Sequence, residues 1–175
     1  MSDVAIVYFS GTGTTAQLAD AVVAGVGPDA AVARIWGRDV VEGRYRETHA
    51  LEIVDRAKAV IFGSPTYMGG PAAEFKAFAD SSSERWSRGA WSGKLAAGFT
   101  AGSYPNGDQG WTLAYFQVLA GQHGMLWAGL GAMPPDRLGA AGGASAWIEG
   151  DAPAPEDLAT ATRLGQRIAA LAARL

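Results

Sequence analysis

A continuous apolar run that stops abruptly in small hydroxyl residues constrains this chain more than any other feature. Asp3-Val4-Ala5-Ile6-Val7-Tyr8-Phe9 leads into Ser10-Gly11-Thr12-Gly13-Thr14-Thr15, and the amphipathic segment Ala16-Gln17-Leu18-Ala19-Asp20-Ala21-Val22-Val23 begins at once. A buried strand, a tight polar turn and a helix start in that order form a ready anion site. The helix N-terminus leaves backbone N–H groups unpaired and carries about half a positive charge. The turn holds no lysine, so N–H groups and hydroxyls must do the binding. A Walker-type phosphate loop, G-x-x-x-x-G-K-[ST], is thereby excluded. The dinucleotide fingerprint G-x-G-x-x-[GA] is formally matched by Gly11, Gly13 and Ala16. A third pattern, [ST]-x-T-G-x-T, is matched at every specified position by Ser10, Thr12, Gly13 and Thr15. Hydroxyl density favours the third. A bridging diester needs close glycine backbone, whereas a terminal phosphate monoester suits a cage of hydroxyls. A plain helix cap would need only one of them.

The rest of the chain alternates strand and helix patterns. Ala31-Val32-Ala33-Arg34-Ile35-Trp36 reads as a second strand with Arg34 and Arg38 at its carboxyl end, and residues 37–46 read as a loop. Arg34 and Arg38 are read as solvated charges, or, under the dinucleotide pattern, as partners of a 2′-phosphate. His49 to Ala57 has helical periodicity, and His49 is read as a surface residue. Ala59-Val60-Ile61-Phe62-Gly63 is a third buried strand running into Ser64-Pro65-Thr66-Tyr67-Met68-Gly69-Gly70-Pro71, an irregular loop with Pro71 opening the next helix. Two tryptophans punctuate the polar stretch 81–94; Trp91 is expected to pack inward, and Trp86 either packs or covers a flat ligand or a partner subunit. Leu95-Ala96-Ala97-Gly98-Phe99-Thr100 is the fourth strand, followed by the permissive loop 101–110, a helix over 111–121 and a last strand, Met125-Leu126-Trp127-Ala128. The glycine- and proline-rich stretch 129–155 lacks periodicity, and a closing amphipathic helix spans 156–175. The pattern predicts a three-layer α/β/α sandwich, one unit over 1–175, with a five-stranded parallel sheet in the order 2-1-3-4-5.

Composition narrows the function classes. The formal net charge of −3 gives no nucleic-acid face, and the chain has no cysteine, which removes thiolate metal sites, disulfides and a cysteine nucleophile. The only histidines, His49 and His123, lie far apart in sequence, so no metal site is expected. No apolar run is long enough to span a bilayer, and no basic leader precedes the first strand; the expected location is cytoplasmic.

With its three loops assembled, the chain resembles the flavodoxin-like superfamily, and within it the WrbA-type NAD(P)H:quinone oxidoreductases. The resemblance rests on Ser10 to Thr15, on Phe62-Gly63-Ser64-Pro65-Thr66-Tyr67-Met68-Gly69, on the segment from Trp86 to Gly93-Lys94-Leu95-Ala96, and on His123-Gly124-Met125. It implies FMN as cofactor, with Ser10, Gly11, Thr12, Gly13, Thr14 and Thr15 around the phosphate. Pro65, Thr66, Tyr67, Met68 and Gly69 would line the ring system through backbone groups, and Thr100, Ala101, Gly102 and Ser103 the ribityl chain and pyrimidine edge. His123 matches a family histidine near the flavin and is the candidate catalytic residue for delivering a proton to a quinone oxygen, with a purely structural turn role as the alternative; Trp86, with Tyr67, would wall the nicotinamide and quinone pocket. The family further implies NADH or NADPH as donor, a quinone as acceptor, a ping-pong exchange of two electrons, and a homo-oligomer (dimer or tetramer) whose sites are completed by neighbouring subunits. The chain departs from the family pattern at Thr12, where an aromatic residue is usual, at Tyr67, where an arginine-like residue is usual, and in a third loop carrying Tyr104 and Pro105. A one-electron carrier of flavodoxin type and a non-catalytic FMN-binding protein are the alternatives.

Overall fold

The computed structural model describes residues 3–105, 107–131 and 136–175. Strand β1 (Val4–Phe9) is buried along its whole length because both of its faces are covered. Val7 and Phe9 face one core, with Val54, Phe62, Phe75, Phe78 and Phe116. Ile6 and Tyr8 face the other, with Leu18, Val22, Ile61, Phe99, Leu164 and Ile168. That two-sided burial is what an unbroken apolar strand encodes.

Helix α1 (Thr14–Val26) follows β1 directly, and β2 (Ala31–Ile35) returns parallel to it, with Tyr8 opposite Arg34. A 3₁₀ turn at Gly37–Asp39 then leads into a small antiparallel hairpin, β3 (Val40–Val41) and β4 (Arg44–Tyr45). Residues 37–46 are therefore structured where a loop was expected. Glu42 and Gly43 both have positive φ (51° and 73°), the geometry of a tight two-residue hairpin turn. Helix α2 (His49–Arg56) precedes β5 (Ala59–Tyr67), which pairs parallel with β1.

Strand β5 runs four residues beyond the expected Gly63 and folds back through Met68 and Gly69 onto β6 (Gly70–Pro71). The expected irregular loop is thus a hairpin tip, and Pro71 belongs to a strand rather than to α3 (Ala73–Ser81). The short α4 (Ser83–Ser87) carries Trp86, and β7 (Leu95–Gly102) pairs parallel with β5. After α5 (Gln109–Gln122), the fifth position of the sheet is filled by two collinear pieces. β8 (Leu126–Trp127) lies beside Leu95 and Ala96, and β9 (Ala144–Trp147) lies beside Phe99 to Gly102. The sheet order is β2-β1-β5-β7 and then β8 with β9, so the expected order 2-1-3-4-5 holds with its last strand interrupted.

The interruption is tied down chemically. Asp136 is buried, and its carboxylate accepts N–H groups from Leu138 (3.0 Å), Ala140 (2.7 Å) and Ser145 (2.9 Å), plus the Ser145 hydroxyl. Helix α6 (Pro155–Ala172) closes the layer that holds α1. The two helices cross at glycine: a Cβ on Gly25 would stand 2.1 Å from the Thr162 carbonyl, and one on Gly165 would stand 2.2 Å from that of Val22. No described helix is long and apolar enough to cross a membrane.

Candidate functional site

The carboxyl ends of β1, β5 and β7 bring three loops together, the place where open α/β sheets hold ligands. In the first loop one hydroxyl is committed and three are not. Ser10 is buried, and its Oγ accepts the N–H groups of Gly13 and Ala16, each at 3.2 Å, doing the work of the helix cap. Gly13 takes φ 103°, which turns the chain into α1. The hydroxyls of Thr12, Thr14 and Thr15 bond to no acceptor among the described residues, though Thr15 is buried and only Thr12 and Thr14 reach the cavity; no acidic residue occupies the first turn of α1. A positive helix end is left facing open space.

In the second loop the side chains are largely spoken for. Thr100 Oγ1 donates to the Ser64 carbonyl (2.7 Å) and lies 2.9 Å from Thr66 Oγ1, which lies 2.8 Å from Thr112 Oγ1. A hydroxyl has one proton, so the chain of donation runs Thr112 to Thr66 to Thr100 to Ser64. Thr66 therefore meets a ligand with its backbone. Tyr67 stands half-exposed with its hydroxyl over the first loop: a Cβ on Gly11 would lie 2.5 Å from that oxygen. Met68 is fully exposed at φ 49°, a conformation held by the hairpin tip.

In the third loop, Thr100, Ala101 and Gly102 are still strand, and Ser103 is the first exposed residue. Gln109 staples the loop, donating to the Tyr104 carbonyl (2.7 Å) and accepting the Gly107 N–H (2.9 Å). Two adjoining cavities result. One, of about 430 Å³, is lined by Thr12, Thr14, Pro65, Ala101 and Asp151 among others. The other, of about 810 Å³, is lined by Met68, Gly69, Tyr104 and Asp108 among others, and Thr66, Tyr67, Gly102 and Ser103 belong to both. A further cleft of about 500 Å³ beside Trp111 and Leu138 shares Asp108 with the second cavity and includes none of the first loop.

His123 and Trp86 lie elsewhere. They come together in a cleft of about 310 Å³ between α3, α4 and α5, at the amino ends of the strands. The eight residues of β7 separate the two ends of the sheet, which at a strand's rise is roughly 20–25 Å. Within one chain these two residues do not join the three loops. His123 is buried, stacked on the Trp91 ring at 4.3 Å, and its Nε2 is 2.9 Å from Ser82 Oγ. Ser82 gives its own proton to the Ala79 carbonyl, so Nε2 carries the hydrogen and donates. Nδ1 is buried with no partner among the described residues, and burial holds the imidazole pKa below its usual value. Trp91 is fully buried, as expected, and bonds Asp55 through Nε1 at 2.7 Å; Trp86 is exposed.

Three features of the site have no clear signature in the sequence. Asp108 and Asp151 supply the carboxylates lining the cavities, and Asp151 sits in a stretch without periodicity. Arg34 reaches the first loop, where its Nη2 donates to the Ser10 carbonyl at 2.9 Å; placing it there required the β1–β2 register. Its head group lies 4.0 Å from the Trp36 ring, with Arg38 at 4.9 Å.

Relatives carry the same frame. A sequence profile of the NADPH-dependent FMN reductase family matches residues 37–133, more than half of the chain. The chain is 35% identical to a flavodoxin FldP of Pseudomonas aeruginosa over 100% of its own length and 99% of the relative's. It is 31% identical to an NAD(P)H dehydrogenase (quinone) of Archaeoglobus fulgidus, over 100% of both. The crystal structure of a flavodoxin, WrbA-like protein from Agrobacterium tumefaciens superposes with a TM-score of 0.83 at 38% identity, covering 99% of each chain. With that frame shared from end to end, the chain belongs to the NADPH-dependent FMN reductase family and, within the flavodoxin-like fold, to its WrbA-type members.

Proposed function

We propose that this chain is an FMN-dependent oxidoreductase that passes two electrons from NADH or NADPH to quinones or similarly flat acceptors, donor and acceptor using the same cavity in turn. The observation that carries this reading is the lysine-free first loop, whose uncommitted Thr12 and Thr14 at a helix N-terminus open into adjoining cavities walled by Tyr67 and Met68, with Thr15 buried behind them. The residues fit the cofactor. A phosphate monoester presents free oxygens to the hydroxyls of Thr12, Thr14 and Thr15 and to the N–H groups at the start of α1. The cavities fall in the size range of sites for flat organic ligands. FMN, when bound, supplies the capacity to take and release two electrons; the protein supplies seat, orientation and field.

In this reading Ser10 and Gly13 shape the turn, and Pro65, Thr66 and Gly69 offer backbone to the ring. Thr100 and Ala101 hold the strand end that presents Gly102 and Ser103. Tyr67 bridges the phosphate and ring ends, and Met68 forms an exposed wall for the flat substrates. Trp86 and His123 would act only across a homo-oligomer contact, where the amino end of one sheet meets the carboxyl end of another. With its Nε2 proton engaged by Ser82 and its Nδ1 buried, His123 would shape that contact and would not deliver a proton. The 1–175 unit would work in the cytoplasm, where reduced nicotinamides are held.

The test is steady-state NADPH oxidation with benzoquinone by the flavin-loaded protein. The same assay is run with NADH; parallel double-reciprocal lines are expected with at least one donor, and absence of oxidation of both refutes the enzyme. The flavodoxin relative favours a second reading, a one-electron carrier. That protein would leave NADPH untouched alone and carry electrons only when a separate reductase is added.

A further inference from the structure

Arg34 stands where an isolated site gains nothing from it. It lies opposite Tyr8 in the β1–β2 ladder, and its Nη2 donates to the Ser10 carbonyl at 2.9 Å. Its Nε is buried and has no acceptor, and no carboxylate pairs with it, among the described residues. The guanidinium thus sits behind a turn that is already the positive end of α1, whose first turn holds no acidic residue. Two fields of the same sign add at the mouth of the first cavity. The one charged side chain lining that cavity is Asp151, which works against an anionic guest. A cation beside a helix N-terminus is unfavourable until an anion completes the arrangement.

We infer that Arg34 takes the part of the lysine this phosphate loop lacks: it positions the loop through the Ser10 carbonyl and, through space, makes the site selective for the phosphorylated flavin over riboflavin. The guest it recognises is a phosphate monoester carrying close to two negative charges. The inference rests on the FMN reading and refines it. Stacking on Trp36 holds the planar head in place without neutralising it, so its charge remains available to the loop.

Titration of the apoprotein with FMN and with riboflavin, read by quenching of flavin fluorescence at low and high salt, tests it. Wild type should prefer FMN, and that preference should shrink with salt while riboflavin affinity holds steady. Arg34→Met should lose about tenfold in FMN affinity and change riboflavin affinity less than about twofold. Arg34→Lys should recover most of the loss. Equal losses for both flavins would make Arg34 a purely structural residue and overturn the inference, as would an unchanged FMN affinity. If Arg34→Met fails to fold, the wild-type salt dependence decides: an FMN preference indifferent to salt overturns it. Wild type that binds neither flavin sinks the FMN reading itself, a result distinct from a lost preference.

Discussion

Ser10 and Thr12 stand two residues apart in one turn, and their hydroxyls should behave oppositely when removed. Ser10 Oγ accepts two backbone N–H groups at 3.2 Å in a buried position, whereas Thr12 is exposed and its hydroxyl has no partner among the described residues. Bonds of that length are on the weak side, so losing both in Ser10→Ala should cost about 1–2 kcal/mol, as for a helix cap. For a chain of this size that lowers the melting temperature of the apoprotein by about 3–6 °C. Thr12→Val removes no protein bond and should leave the apoprotein within about 1 °C of wild type. The same change removes a donor to a dianion, however, and should weaken FMN about tenfold, or about 1.4 kcal/mol. Thermal melts of the apoproteins and FMN fluorescence titrations separate the two effects. If Thr12→Val melts as early as Ser10→Ala, the hydroxyl was committed after all. If it binds FMN as wild type does, the turn is not the phosphate seat.

Gly165→Ala should destabilise the protein by about 1–3 kcal/mol, because the new Cβ meets the Val22 carbonyl and backbone must move; chemical denaturation measures this directly. Burial lowers the His123 pKa, so above the ordinary value of 6.5 the ring is neutral in both states and adds no pH dependence. As pH falls below 6.5 the unfolded chain takes up a proton that the folded one refuses, and stability is lost down to the lowered folded pKa. His123→Gln should flatten that part of the profile of melting temperature against pH; a slope equal to wild type would contradict the buried neutral ring. Asp151 lines the first cavity with an exposed carboxylate, so Asp151→Asn should tighten FMN about threefold at low salt and less at high salt. Weaker binding in that variant would show the carboxylate to be a ligand contact.

Much of the sheet was legible because a strand buried on both faces must be apolar throughout. β1, β5 and β7 announce themselves, and the hydroxyl turn after β1 marks the helix N-terminus. The last strand was not legible in full. Its two pieces, Leu126–Trp127 and Ala144–Trp147, are short, and each is a strand only because β7 offers its edge at the matching height. Their pairing is non-local, so no window of sequence contains it. The hairpin at Met68 was hidden for a different reason. Its turn places a methionine at positive φ, where glycine or asparagine is the usual signal, and the flanking prolines read as a loop. Arg34 looked like a solvated strand-end charge because its partner, the Ser10 carbonyl, belongs to the neighbouring strand's loop. His123 is tied to the cavity by resemblance alone, and Trp86 by resemblance and by the reading of a loop aromatic as a ligand cover; the fold sets the two together at the far end of the sheet, away from the three loops of the same chain.

The central claim is that the turn from Ser10 to Thr15 seats the phosphate of FMN. A crystal structure of the protein grown with FMN tests it most directly. One FMN per chain is expected, its phosphate within hydrogen-bond distance of Thr12, Thr14 and Thr15 and its ring beside Tyr67 and Met68. An unfilled turn in that crystal, or a turn holding the bridging diester of a dinucleotide, would contradict it.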